Sequence, residues 1–156
     1  MKYQRLSKEQ LEELHQEFIN FLATQSITGK EWANIKENQP EVAEQELDVF
    51  SDLIWEGVLN KTEYVDHISP HQMNLFCLGD DVMKLISVRT TKVDLTTAEG
   101  MKWVQANVNE DEVELFTAQK NYGNEPNTDK FKLIQKGAFI SKGEWYNNLD
   151  KFINKK

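Results

Sequence analysis

The chain has 156 residues, 39% of them hydrophobic and 28% charged, with a formal net charge of -8; this fits one soluble domain with a single core. The acidity excludes nucleic acid as an expected partner, because binding a phosphate backbone needs a basic footprint. One cysteine, Cys77, excludes an intramolecular disulfide, and the opening segment lacks a signal-peptide core.

No apolar run approaches the ~18 residues of a membrane span, so a cytoplasmic protein with no membrane partner is expected. Residues 1–156 are read as a single domain of class α+β: a helical part over 1–60, a hairpin and sheet part over 61–122, and a helical tail over 123–156.

The helical part opens with a capping box, Ser7 with Gln10, ahead of an amphipathic run in which Leu11, Leu14, Phe18, Phe21 and Leu22 share a face. Thr24 to Thr28 is a polar break. Thr28 and Glu31 form a second capping box before a short helix carrying Trp32 and Ile35. Pro40 suits the first turn of a third helix, which contains EVAEQELDVFSDLIWEGVL, residues 41–59.

In the sheet part, Tyr64 to Ile68 reads as an edge strand ended by Pro70. Met73 to Leu78, the turn Gly79-Asp80-Asp81 and Val82 to Arg89 read as a central β-hairpin in a small antiparallel or mixed sheet. Thr96 and Glu99 are placed to cap a helix bearing Met101, Val104 and Val108, and a further strand fits residues 112–118.

In the tail, Thr128 is read as a cap for a helix with Phe131, Leu133 and Ile134, closed by Gly137. Ser141 and Glu144 form a third capping box before a helix with Trp145, Leu149, Phe152 and Ile153. These two helices resemble a helix-turn-helix in outline, but only Ser141 and Lys142 stand where base-reading side chains are needed, so packing is the expected role.

Charge is unevenly divided: residues 1–60 carry a net -7, residues 61–120 a net -4 and residues 121–156 a net +3. In the long helix, Glu41, Glu44, Asp48, Asp52 and Glu56 fall within about a third of the circumference. Each like-charge pair four residues apart costs about 0.2–0.5 kcal/mol, so a solvated acidic face is affordable without any function. Trp55 and Leu59 lie at the same end and demand cover, since a large aromatic on a wholly solvated face is unusual.

Several covers are open: the basic C-terminal segment, the hairpin, a basic protein or peptide surface, or a second copy of the chain. The interaction candidates are therefore Glu44, Asp48, Asp52, Trp55, Glu56 and Leu59.

Around the hairpin, Asp66, His67, His71 and Cys77 supply metal-ligand and nucleophile chemistry by type. Pro70 removes the helical meaning of the His67/His71 spacing, and nothing local depresses the pKa of Cys77. Glu12-x-x-His15 matches one half of a carboxylate-bridged di-metal motif, but its second half is missing and His15 is read as a histidine at the core margin.

The chain has no GxGxxG, Walker-type, GxSxG or CxxC motif and no cofactor is expected. The leading expectation is a non-enzymatic interaction or adaptor protein. The alternatives are a small metal-dependent or Cys/His enzyme around residues 66–77, and a structural homo-oligomer.

The stretches MKYQRLSKEQLEELHQEFINFLATQSITGKEW and AEQELDVFSDLIWEGVLNKTEY resemble an uncharacterised family of small acidic bacterial proteins, a domain of unknown function. That resemblance implies a soluble bacterial protein and transfers no activity.

Overall fold

The computed structural model describes residues 1–154, in two compact units: Met1–Asn60, and a second from Lys61 onward. The first unit holds α1 (Lys8–Glu13), α2 (His15–Thr24), α3 (Gly29–Asn38) and α4 (Pro40–Lys61). Both expected capping boxes form: the Ser7 hydroxyl accepts from the Gln10 N–H, the Thr28 hydroxyl accepts from the Glu31 N–H, and each Gln or Glu side chain reaches back to the cap.

The first amphipathic run is broken at Leu14 (φ -96, ψ 24) into α1 and α2. Ser26 adopts a left-handed conformation (φ 59) in the polar break. An aromatic cluster joins α2, α3 and α4: the Phe18 ring meets Trp32 at 5.1 Å and Phe50 at 5.0 Å, both edge-on.

The second unit is built on a five-stranded antiparallel sheet of order β4-β3-β2-β1-β5. Its strands are β1 (Tyr64–Ile68), β2 (Gln72–Leu78), β3 (Val82–Arg89), β4 (Glu114–Asn121) and β5 (Phe139–Ser141). The remaining helices are α5 (Ala98–Asn107), α6 (Pro126–Gln135) and α7 (Glu144–Ile153). Helices thus stand at both ends of the chain, with the sheet strands between them in sequence, an α+β fold. The hairpin forms as expected, its turn closed by the Gly79 N–H donating to the Val82 carbonyl at 3.0 Å.

Register assigns the faces. Asp66, Leu75, Ile86 and Thr117 form one cross-strand row, and Val65, Phe76, Leu85 and Ala118 form the next, on the opposite face. The first face packs Met73, Leu75, Ile86 and Val88 against Met101 and Val104 of α5 and Tyr146 and Leu149 of α7. On the second face, Val65 and Leu78 cluster with Ala138 and with Leu133 and Ile134 of α6.

Four expectations need correction. β1 is an interior strand, because β5 pairs with its outer edge. The cap of α5 is Thr97, since Asp94 accepts both the N–H and the hydroxyl of Thr96. Pro126 starts α6 after the cap position Glu125, leaving Thr128 inside the helix. Ser141 ends β5, its hydroxyl accepting from the N–H of Gly143, which takes the cap position of α7.

Candidate functional site

The acidic row of α4 lies under the chain's own first residues. The Asp52 carboxylate accepts two successive peptide N–H groups, from Lys2 at 2.7 Å and from Tyr3 at 2.9 Å. The Tyr3 hydroxyl donates to Glu56 at 2.5 Å, and the Lys2 ammonium stands 3.4 Å from the same carboxylate. Arg5 donates from Nε to Asp48 at 2.7 Å and from its terminal nitrogen to Glu44. The Leu6 N–H donates to the hydroxyl of Ser51, which is fully buried.

Residues 2–6 therefore form a strap, bent at Tyr3, that runs along the row from Glu56 to Glu44. The strap relieves the repulsion along α4: each of Glu44, Asp48, Asp52 and Glu56 receives at least one donor from it. Its ion pairs are partly exposed, so each contributes only about 0.2–1 kcal/mol. Burial of Tyr3 and Leu6 adds the larger share. Burial and the neighbouring Glu56 push the Tyr3 hydroxyl pKa up to about 12.

At the end of the row Trp55 is half-buried with its indole nitrogen enclosed, and Leu59 is fully buried. Other apolar residues of α4 remain open: Val49 is 53% and Leu53 56% exposed. By helical geometry both flank the Asp52–Glu56 side of the row.

The hairpin candidates do not converge. Asp66 and His67 are strand neighbours and project from opposite faces of the sheet. Cys77 shares the Asp66 face but stands opposite Tyr64, one row away, and His71 is exposed in the link between β1 and β2. Among the described residues no group of three or more His, Cys, Asp or Glu is placed to hold a metal ion.

Burial raises the Cys77 thiol pKa, with the Tyr64 hydroxyl and Lys84 opposing the shift. That favours the unreactive protonated form. His15 is exposed rather than at the core margin.

Asp66 is the chemically odd member. It is 3% exposed on an apolar face, and its Oδ1 has no hydrogen-bond partner among the described residues. Burial raises its pKa, while the Ser141 hydroxyl pulls it back. A carboxyl with a raised folded-state pKa binds its proton more tightly in the folded chain. Stability is then greatest at low pH and falls as pH rises from the unfolded value toward the folded one.

Asp66→Asn is therefore expected to stabilise the chain at about pH 7 and to have a smaller effect at about pH 3. Urea unfolding at the two pH values checks this. An equal effect at both would show that the carboxyl charge is not what the fold resists.

Sequence reasoning named the acid side of the strap contact and missed its donor side, Lys2, Tyr3 and Arg5. The available signal was three cations, Lys2, Arg5 and Lys8, spaced three residues apart ahead of the first acid, Glu9. The C-terminal segment is one of the covers left open by the sequence.

Among the described residues, no helix is long and apolar enough to cross a membrane. No curated protein and no solved structure matches the chain. The model of a family of unknown function matches residues 1–154.

Proposed function

Since the chain belongs to that family, DUF6495, whose function is unknown, we propose that it is a non-enzymatic interaction protein of the bacterial cytoplasm, and that its acidic α4 row receives a basic segment of a partner protein. One observation carries this reading: the row already holds such a segment, through backbone N–H groups on Asp52 and a guanidinium between Asp48 and Glu44. Those contacts recognise main-chain N–H groups and a cation together, as peptide-binding surfaces do.

Exposed Val49 and Leu53 on the flank offer a partner apolar area that the strap leaves unused. The cytoplasmic setting is supported by the single cysteine and the net charge of -8; the bacterial setting rests on the resemblance of the two quoted stretches.

Residues 2–6 then act as an internal competitor. A tethered segment faces its site at an effective concentration in the millimolar range, so a partner binds by exchange with the strap. The same exchange between two copies gives a homo-oligomeric form of the contact.

A fluorescent peptide carrying Lys-Tyr-Gln-Arg-Leu, titrated by anisotropy, tests the competition. The variant with Tyr3→Ala and Arg5→Ala, whose strap is weakened, is expected to bind it at least about tenfold more tightly than the unaltered chain. Added salt should reduce that binding. Absence of binding to the variant rejects the row as a receptor.

A further inference from the structure

A second surface, on the sheet of the other unit, has the opposite charge. The second face of the sheet and α6 enclose a cleft of about 330 Å³, at the small end of ligand-sized sites. Its floor is the cross-strand row Phe76–Leu85–Ala118, with Leu133 of α6 facing it. Its rim carries Lys120 from β4, Lys132 from α6 and Lys136, which caps the C-terminal end of α6.

Among the described residues none of these three lysines lies within ion-pair distance of a carboxylate. The one acid in the lining, Asp129, is engaged by the Gly123 N–H at 2.7 Å. The cleft exists because position 118 is small: Phe116 stands two residues away on the same face of β4, and a side chain of that size at 118 would occupy the space.

We propose that this cleft binds a small amphipathic anion, a carboxylate head group on a short aliphatic body. Uncommitted cations at the rim hold the head group, and the apolar floor takes the body. This combination favours an anion over a neutral or cationic ligand of the same length, because only the anion is attracted by the lysine charges. The size of the cleft suits a free molecule rather than a membrane surface.

The test uses the full chain, isotope-labelled, with decanoate as the probe and amide chemical shifts as the readout. Saturable shifts confined to Phe76, Leu85, Ala118, Leu133 and their neighbours are expected. Decyltrimethylammonium should give none, and vesicles of phosphatidylglycerol should not bind the chain.

Two exposed-site variants separate the parts. Ala118→Trp fills the cleft and should abolish the decanoate shifts. The double reversal Lys132→Glu with Lys136→Glu should weaken decanoate by about tenfold or more. Equal binding of the cationic amphiphile, no saturable shift in the unaltered chain, or unchanged decanoate affinity in both variants would overturn the proposal. Vesicle binding without a decanoate response would reassign the lysines to a membrane contact.

Discussion

Gly143→Ala is expected to destabilise the chain by about 2–4 kcal/mol, read as a lower urea midpoint at unchanged slope. Two costs add. Gly143 sits at φ 77, ψ 19, the left-handed region that a residue with a Cβ resists. That Cβ would also stand 2.5 Å from the Tyr64 ring.

The ring cannot easily withdraw, because it packs on Tyr146 at 5.9 Å and belongs to the first-face core. The glycine therefore lets β5 turn directly into α7 while Tyr64 lies flat against the turn. Pairing Gly143→Ala with Tyr64→Leu should recover the steric part and leave the backbone part, so the double variant should lose less than the sum of the singles. Strict additivity would show that the ring contact contributes nothing.

Leu75→Ala is the other substitution of large expected effect, about 2–5 kcal/mol. Leu75 is fully buried at the centre of β2, with Asp66 of β1 on one side and Ile86 of β3 on the other. Truncation opens a cavity beside a carboxyl that, among the described residues, already lacks a partner for one oxygen. Phe116→Ala serves as the contrast: that ring is 61% exposed on the edge strand, and its loss should change stability by no more than about 0.5 kcal/mol. Similar losses for the two would contradict the assignment of the buried face.

Much of the fold is legible in the residues because it is set locally. Ser7 with Gln10, Thr28 with Glu31 and the run after Pro40 each announce a helix within a few positions. The apolar run before Gly79 and the one after Asp81 announce a hairpin. What is not legible depends on distance or on competition. β5 has three residues and is a strand only because β1 lies beside it. Thr96 loses its capping role to its neighbour because Asp94 captures it.

The candidate site divides in the same way. The acidic row follows from helical periodicity, so its residues can be picked out directly. The strap that fills it comes from 39 to 54 positions earlier in the chain, and no periodic pattern links the two. The hairpin residues Asp66, His67, His71 and Cys77 look like a cluster in sequence, yet strand alternation sends neighbours to opposite faces. The cleft lysines come from β4, α6 and the cap of α6, and the packing of α6 on the second face of the sheet brings them to one apolar floor.

The exchange of the strap for a basic partner is tested most directly by amide hydrogen exchange at Lys2 and Tyr3 in the unaltered chain. Both N–H groups are held by Asp52, so both should be protected in the free protein. Millimolar Lys-Tyr-Gln-Arg-Leu peptide, matching the effective concentration of a tether, should abolish that protection while the interior amides of α4 stay protected. Protection that persists at saturating peptide would contradict an exchangeable strap and make residues 2–6 a fixed part of the fold.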